Sequence, residues 1–371
     1  MHANSRKAHS FRHTICLRSL QKSFLNGRGQ RYRVGMGTIY IDLASGKAAL
    51  RGESLHVVGQ RWPQESLQDG EMLNMVIPLM QIEQLVIVPQ VTMTGALVAE
   101  LMRRGIGVSI MGQAECLGII GPMTKAKGGL RMRQYRRMVD EGWRLQQARF
   151  IVAGKLNNQS YMLRRRQGGA SDAVLKQLRK LLKQTVDARR TSELMGMEGM
   201  GSALYFGEWA KSLPPEHPFT ERTRRPPKDP VNACLSYLAA MCSGEMYRAI
   251  VAVGLDPDLG VLHSIEDYRH NLALDLMEPF RPFLVEGITR DIATHGMLTA
   301  ESFERHEDDG GCYLSPAGRA MIIRRYEQRV NSEFELHGRT TSLRRQMSSV
   351  ALNFKQAVET DGLSAANFVM K

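Results

Sequence analysis

The feature that most constrains the fold is a change of pattern at the glycine-rich stretch TKAKGG, residues 124–129. Before it, from Gly37 to about Ile120, short apolar runs are separated by Gly, Asp and Gln turns, a pattern typical of strands. The one helical interruption there is TMTGALVAELMRR, in which Leu97, Leu101 and Met102 repeat at helical spacing until Gly105. After the glycines, long segments have a helical period. We therefore predict an α+β chain with a small N-terminal β-rich domain, residues 36–121, followed by a larger, mainly α-helical domain, residues 122–371.

Residues 1–35 form a basic N-terminal extension that has little reason to fold alone. They contain no acidic residue, and their basic residues are Arg6, Lys7, Arg12, Arg18, Lys22, Arg28, Arg31 and Arg33. We predict that this extension is disordered. An organelle transit peptide, a basic DNA-binding arm and a chain that starts at Met36 are the alternatives.

The whole chain is strongly basic, with a formal charge of +13 and a pI near 9.7. A polyanionic partner such as nucleic acid is the simplest explanation, and an anionic membrane surface is the alternative. The region from Gly121 to Arg166 has a helical pattern and only two acids, Asp140 and Glu141. Its basic residues are predicted to form the outer face of an amphipathic helix and to contact phosphate, the alternative being a merely solvated face. They are Arg131, Arg133, Arg136, Arg137, Arg144, Arg149, Lys155 and Arg164–Arg166.

Several protein classes are excluded by what the sequence lacks. The longest stretch without charge, Gln84 to Ala99, is broken by Pro89 and is too short and too polar to span a bilayer. No phosphate-binding loop, HExxH or GxSxG motif is present. The five cysteines are scattered and never spaced as CxxC, which favours reduced, mostly buried thiols in a cytosolic protein. They are Cys16, Cys116, Cys234, Cys242 and Cys312.

Candidate metal ligands occur between Gly254 and Phe283. Glycines and a proline precede His263, which places this histidine at the end of a loop. A helical pattern begins at Asn271, and Asp275 and Glu278, three residues apart, project from one side of it. Two carboxylates and one imidazole suit Mg²⁺ or Mn²⁺ better than zinc, which has no thiolate pair nearby. The alternative is a solvated helix face beside an ordinary loop histidine.

A third carboxylate, Glu198, lies between Gly196 and Gly199, after a helix predicted from Asp172 to about Leu194. Flexible backbone at these glycines would let Glu198 approach a ligand closely. An acid that compensates the dipole of the next helix is the alternative. Residues 213–230 contain six prolines and are predicted to form a loop that offers Arg222, Arg224 and Arg225 to an anionic ligand.

Three motifs, taken together, resemble one known family. They are LMGMEG at 194–199, PPKDPVNACLSYLAAM at 226–241, and GLDPDLGVLHS with LALDLMEPFRP at 254–282. Their order and wording are similar to those of the CRISPR-associated adaptation integrases, the Cas one (Cas1) family. The resemblance extends from about Met36 to at least Gln356, and it is specific because several separate motifs agree in order and separation.

The resemblance implies a small β-domain followed by a helical catalytic domain. It implies homodimers that join the small Cas two protein (Cas2) in the cytoplasm of a prokaryote, with no membrane involvement, and that insert captured double-stranded DNA into the CRISPR array. It places the Mg²⁺ or Mn²⁺ ligands, which are also the catalytic residues, at Glu198, His263 and Glu278, and Asp275 behind them. The family has Asp or Glu at position 278. Asn271 and Pro279 depart from residues that are frequent in the family, but neither is a ligand.

The implied chemistry is metal-dependent attack of a DNA 3′-hydroxyl on a repeat phosphodiester, or nicking if water replaces that hydroxyl. Tyr205, Lys211, Arg224 and Arg225 are predicted to position DNA. Two alternatives are a stand-alone metal-dependent nuclease for branched DNA and a non-catalytic DNA-binding scaffold. A scaffold would have no need to retain three metal ligands.

Overall fold

The structure, a computed structural model, describes residues 37–62, 72–122, 128–165, 169–263, 269–360 and 367–370. The predicted N-terminal extension with Cys16 lies outside these residues, as does Arg166 of the basic region. Within the described ranges, no helix combines the length and the apolar character needed to cross a bilayer.

The N-terminal part consists of two four-stranded sheets. Its strands are β1 (Gly37–Ile41), β2 (Ser45–Arg51), β3 (Ser54–Gln60), β4 (Met72–Pro78), β5 (Ile82–Ile87), β6 (Val91–Met93), β7 (Gly107–Met111) and β8 (Cys116–Ile120). One sheet has the order β1-β5-β7-β8 and the other β4-β3-β2-β6. β5 pairs in parallel with β1 and β7, and its sequence IEQLVI is almost entirely buried, as expected of a parallel strand covered on both faces.

One helix, α1 (Gly95–Arg103), packs on these sheets. The Thr94 hydroxyl caps it by accepting a hydrogen bond from the backbone N–H of Leu97. Leu97 and Leu101 are fully buried, and Gly105 ends the segment with a φ of 75°. The helix that the sequence predicts here is confirmed.

The described residues from 128 onward are mainly helical and include two short hairpins. The helices are α2 (Gly128–Val139), α3 (Glu141–Arg164), α4 (Asp172–Gln184), α5 (Thr191–Ala210), α6 (Pro230–Val253), α7 (Asn271–Met277), α8 (Gly287–Thr294), α9 (Pro316–Asn331) and α10 (Leu343–Glu359). The hairpins pair β9 (Phe303–Arg305) with β10 (Cys312–Leu314), and β11 (Glu333–Leu336) with β12 (Arg339–Ser342). The predicted α+β class, β-rich first and helical afterwards, is confirmed.

The prediction of one continuous helix from Asp172 to about Leu194 is wrong for its C-terminal half. α4 ends at Gln184 and α5 begins at Thr191. The backbone groups between them find other partners: the Ala188 carbonyl accepts a hydrogen bond from Arg149 at 2.6 Å, and the Glu193 carboxylate accepts one from the Arg189 N–H at 2.8 Å. The first contact is tertiary and the second is a local contact at the start of α5, and together they provide partners for backbone groups where one helix ends and the next begins.

The basic region after the glycine linker forms two helices with different surroundings. On α2 the basic residues Arg131, Arg133 and Arg136 are exposed, as predicted for an outer face. α3 instead runs through the helical core, and Lys155 on it is buried. The prediction that Lys155 belongs to a solvent-facing basic stripe is therefore wrong, because neighbouring helices cover α3.

From Asn271 to Thr294 the chain is helical throughout but changes its winding. α7 is followed by a 3₁₀ turn at Glu278–Phe280, a π-helical segment at Pro282–Glu286, and then α8. Pro279 and Pro282 lack a backbone N–H, so the regular hydrogen-bond ladder cannot pass through them. The irregular winding turns Glu278 and Glu286 into the protein interior, where both are buried.

Buried ionic contacts join the two parts of the chain. The Tyr40 hydroxyl of β1 donates to Glu327 of α9 at 2.7 Å, and Arg344 of α10 pairs with Glu327 at 2.8 Å and with Glu245 of α6 at 3.0 Å. Burial raises the pKa of Tyr40, which keeps its hydroxyl a donor. Tyr40 thus connects β1 to α9, and Arg344 connects α10 to α9 and α6 within the helical part.

Candidate active site

Glu198 lies in the middle of α5, one turn before the point where α5 touches α3. A Cβ at Gly201 would lie 2.1 Å from the Leu156 Cδ2 of α3, so any larger residue there would force the buried Leu156 side chain to move. A Cβ added at Gly196 or Gly199, in contrast, would meet no atom within 4 Å, so packing does not require glycine at either position. Both glycines and Glu198 lie within α5, Thr191–Ala210, so the prediction that flexible backbone surrounds Glu198 is wrong. A regular helix that lies very close to α3 positions the carboxylate.

The ammonium group of Lys155 lies between the carboxylates of Glu198 and Glu278. Its Nζ pairs with Glu198 Oε1 and lies 2.5 Å from Glu278 Oε2. Ser202 on the next turn of α5 donates to the same Glu198 oxygen at 2.9 Å. The Lys155 side chain is only 8% exposed, and α3 carries it to this position. The structure thus brings together Glu198 and Glu278, which are 80 residues apart, through a residue that the sequence analysis did not assign to the site.

The Glu278 carboxylate is buried and is kept ionised by two cations. Burial alone would raise its pKa, but Lys155 and Arg281 lower the pKa of Glu278 to about 2. Arg281 lies 3.3 Å from Glu278 Oε1 and 3.4 Å from the buried carboxylate of Glu286. The backbone around Glu278 is also anchored, because the Asn158 amide of α3 donates to the Pro279 carbonyl at 2.8 Å. Glu278 is therefore held in place before any ligand arrives.

Asp275 holds the loop that carries His263. Its carboxylate is fully buried and accepts backbone hydrogen bonds from Val261 at 2.6 Å, Leu262 at 2.9 Å and His263 at 3.2 Å. It also accepts from the His263 ring, with Nδ1 and Oδ1 2.5 Å apart. Since an ionised carboxylate only accepts, Nδ1 carries a proton and Nε2 is left to bind a cation. The hydrogen bond to Asp275 raises the pKa of His263, and the charges of Glu278 and Glu198 add to this.

The same loop requires glycine at position 260. A Cβ there would lie 2.7 Å from the Asn271 Cβ and 2.9 Å from Asp275 Oδ2. We expect Gly260→Ala to push the loop off Asp275 and to lower the free energy of unfolding by about 1–3 kcal/mol, as overpacking of a tight site does. Urea unfolding of the metal-free protein measures this.

Gly207→Ala is the matched control for that substitution. Gly207 is an exposed residue of α5, and its added Cβ would meet no atom within 4 Å. The control should be neutral or stabilise the protein, since alanine favours a helix interior. Equal unfolding free energies for Gly260→Ala and the wild type would show that the loop tolerates a side chain there.

The four residues predicted to position DNA have different surroundings. Tyr205 is only 1% exposed, and its pKa is raised by burial and by Glu286, so the prediction that it contacts DNA is wrong: it is a core residue. Lys211 and Arg225 are exposed, each beside one acid: Glu208 at 2.8 Å from Lys211, and Glu115 at 3.7 Å from Arg225.

Arg224 is the candidate whose pKa responds to the charges of Glu278 and Glu198. It is an exposed residue of the proline-rich loop that precedes α6. Partial desolvation and repulsion by Arg281 lower the pKa of Arg224, while the charges of Glu278 and Glu198 raise it. Arg224 therefore places a positive charge at the rim of the carboxylate site.

The oxygen and nitrogen ligands present suit a hard divalent cation, provided that Lys155 moves away from the carboxylates. In the described part of the chain, no three His, Cys, Asp or Glu side chains converge closely enough to hold a metal as they stand. Glu278 Oε2 is nevertheless buried without an aligned hydrogen bond, and the His263 Nε2 is free of Asp275. Two carboxylates and one neutral imidazole are ligands that Mg²⁺ or Mn²⁺ accepts. The fit therefore requires the Lys155 ammonium to leave the space between the carboxylates.

The sequence analysis did not assign Lys155, Arg281 or Asn158 to the site. For Lys155, one sequence pattern could have indicated its role. Between Ile151 and Leu163 of α3, Lys155 is the single charged residue in a run of apolar and amide side chains. A lone charge in such a run indicates a buried ion pair. Its partners are far away in the sequence and could not be read from it.

Comparison with known proteins identifies the family. A family model described as CRISPR associated protein Cas1 matches residues 51–328. The chain belongs to the Cas1 family. It is 30% identical over 302 residues to the CRISPR-associated endonuclease Cas1 3 of Thermus thermophilus, a match that covers 81% of this chain and 87% of that protein. The resemblance that the sequence motifs indicate is thus confirmed.

Two solved structures share the Cas1 fold of this chain. A casposase bound to integration product has a TM-score of 0.78 at 21% identity, covering 89% of this chain and 92% of that chain. A chain of a Cas6-RT-Cas1–Cas2 complex has a TM-score of 0.74 at 24% identity, covering 93% of this chain and 37% of that chain. The family match includes Glu198, His263, Asp275 and Glu278, so the candidate active site lies within the part that relates this chain to Cas1 proteins.

Proposed function

We propose that this protein is a metal-dependent DNA integrase and endonuclease of CRISPR adaptation. It inserts captured double-stranded DNA as new spacers into the CRISPR array, by attack of a DNA 3′-hydroxyl on a repeat phosphodiester. The observation that carries the proposal is that Glu198 and Glu278 both contact Lys155, while Asp275 orients the ring of His263, whose pKa the charges of Glu278 and Glu198 raise, in a chain with the Cas1 fold. The Thermus thermophilus relative, an endonuclease by name, supports the reaction class.

Glu198, His263 and Glu278 are the proposed ligands of Mg²⁺ or Mn²⁺. When bound, such an ion stabilises negative charge on the phosphoryl oxygens and makes the attacking hydroxyl more acidic. Asp275 keeps the His263 Nδ1 protonated and so directs Nε2 to the cation. Arg281 and Asn158 hold the Glu278 segment in place, which keeps the carboxylate from reorienting during the reaction.

Exposed cations near the carboxylates are the proposed contacts for DNA. Arg224 at the rim, with Lys211 and Arg225 farther out, would bind backbone phosphates and set the position of the scissile bond. The exposed arginines of α2 would extend this surface, in line with the excess of basic residues in the chain. We further propose the division into domains at residues 36–121 and 122–371, a homodimer, and assembly with Cas2 in the prokaryotic cytoplasm. The related Cas6-RT-Cas1–Cas2 complex supports Cas2 as a partner.

A strand-transfer assay tests the proposed function. Purified protein, with and without a Cas2 protein, is mixed with labelled double-stranded DNA and a supercoiled plasmid that carries a CRISPR repeat. We expect labelled DNA to join the plasmid in Mn²⁺ or Mg²⁺ and not in the presence of a chelator, because the ligands are carboxylates and an imidazole that must hold a cation.

DNA that ends in a 3′-dideoxynucleotide is the matched control substrate. It binds like the normal substrate but has no hydroxyl to attack, so it should not be joined. Joining in the presence of chelator, or joining of dideoxy ends, would contradict the mechanism. Metal-dependent cutting of branched DNA with no joining under any condition would instead favour the stand-alone nuclease.

A further inference from the structure

Lys155 is a buried cation in contact with both candidate carboxylate ligands, Glu198 and Glu278. Its side chain is 8% exposed, and its Nζ contacts one oxygen of each carboxylate, Glu198 Oε1 and Glu278 Oε2. The lysine comes from α3, while the two acids come from α5 and from the 3₁₀ turn after α7. The close packing of α5 on α3 at Gly201 fixes the distance between Lys155 and Glu198.

Without this lysine the two carboxylates would repel each other. Glu278 is 8% exposed and Glu198 24% exposed, so water screens their charges only in part. Arg281 faces the other oxygen of Glu278, and Ser202 adds a neutral donor to Glu198. Lys155 is thus the cation that Glu198 and Glu278 share.

Glu198 and Glu278 are also the carboxylates that would hold the divalent ion of the proposed function, and the Lys155 ammonium lies between them. Mg²⁺ binds oxygen ligands at about 2.0–2.1 Å, so an ion held by both carboxylates would need the space that the Lys155 ammonium occupies. We propose that Lys155 is a built-in counter-ion that holds Glu198 and Glu278 together in the metal-free protein and is displaced from their oxygens when the divalent cation binds. This inference depends on the metal site of the proposed function.

The proposal gives Lys155 two opposite effects. In the metal-free protein it stabilises the fold, because it neutralises buried charge. Toward the metal it acts as a competitor, because a like charge must be moved before the ion can enter. A lysine that merely supported the ligands would have the opposite effect on metal binding, since removing it would weaken the site.

Titration of Mn²⁺ into the full chain, without DNA, distinguishes a lysine that competes with the metal from one that supports its ligands. Free Mn²⁺ is measured by electron paramagnetic resonance for the wild type and for Lys155→Met, which keeps the length of the side chain and removes the charge. We expect the Kd for Mn²⁺ to fall at least about tenfold in Lys155→Met, since a repulsive charge within a few ångströms is removed. The metal-free variant should melt at a lower temperature than the wild type, and saturating Mn²⁺ should raise its Tm by more.

Two further variants serve as controls. Lys155→Arg keeps the positive charge and should not bind Mn²⁺ more tightly than the wild type. Lys355→Met removes the lysine of an ion pair on α10, where Lys355 lies 3.5 Å from Glu359, and should leave the Kd unchanged. If Lys155→Met does not fold, Lys155→Gln replaces it, because its amide can still donate to a carboxylate while the charge is gone.

Each outcome decides one question. A Kd for the neutral Lys155 variants equal to or higher than that of the wild type overturns the inference and leaves the proposed metal site intact. Absence of Mn²⁺ binding in both the wild type and the neutral variants overturns the metal site itself, and the inference with it. Tighter binding in the neutral variants alone supports both.

Discussion

Replacing Glu278 by glutamine is expected to abolish strand transfer while leaving DNA binding nearly unchanged. The substitution keeps the shape of the side chain but removes one anion from a buried cluster in which Lys155 and Arg281 are the cations. The proposed metal ion loses a charged ligand, and we expect the single-turnover rate of strand transfer to fall at least about 100-fold. Fluorescence anisotropy with labelled DNA, measured beside the strand-transfer assay, separates catalysis from binding.

The same variant should be less stable than the wild type without metal, and in a way that depends on pH. The pKa of Glu278 falls from its ordinary value of 4.5 to about 2 in the folded protein. A carboxyl whose pKa is lowered on folding stabilises the protein above its unfolded pKa, and this stabilisation is lost as the pH falls from about 4.5 toward 2. The shift corresponds to about 3 kcal/mol at neutral pH. Glu278→Gln should lose that contribution and its pH dependence.

Glu286→Gln is the matched control for Glu278→Gln. Glu286 is also buried and lies 3.4 Å from the same arginine, but it does not contact Lys155. It should therefore lower stability while strand transfer continues. If Glu286→Gln lost strand transfer as completely as Glu278→Gln, damage to the buried ion pairs would explain both results, and Glu278 would no longer stand as a ligand.

The sequence predicts those parts of this site that depend on local spacing. Asp275 and Glu278 lie three residues apart on a helical segment, both raise the pKa of His263, and His263 lies in a loop before them. Gly105 ends α1 where the pattern predicts it. These features follow from a few neighbouring residues, so a single sequence contains enough information to predict them.

The parts that the sequence could not predict depend on which helices meet. Lys155 is buried against Glu198 and Glu278, which lie 43 and 123 residues away in the sequence. The burial of Tyr205 has the same kind of cause, because α5 presents that side to the core beside Trp209 and Phe206. From the local sequence alone, Lys155 in its basic run and Tyr205 cannot be told apart from surface residues. Only tertiary packing decides that both are buried.

Replacing Asp275 by asparagine is expected to damage both the fold and the site. The carboxylate accepts three backbone N–H groups and the His263 ring, with two donors on each oxygen. In either orientation asparagine would turn its NH₂ group toward two of those donors and leave them without an acceptor. Each lost hydrogen bond to a buried charge costs about 1.5–3 kcal/mol, so we expect the free energy of unfolding to fall by about 3 kcal/mol or more. Urea unfolding of the metal-free protein measures this loss.

The effect on metal binding follows from the His263 ring. Without an acceptor at Nδ1 the imidazole is free to rotate or to change tautomer, and the affinity for Mn²⁺ should fall about 10- to 100-fold, as for other carboxylates that orient a ligating histidine. Asp258→Asn is the matched control, because Asp258 also accepts from a histidine, His270 at 2.6 Å, but both side chains are more than half exposed. That exposed pair should contribute less than about 1 kcal/mol and leave Mn²⁺ binding unchanged. Equal Mn²⁺ affinity for Asp275→Asn and Asp258→Asn would mean that the imidazole of His263 does not bind the metal through an Asp275-directed Nε2.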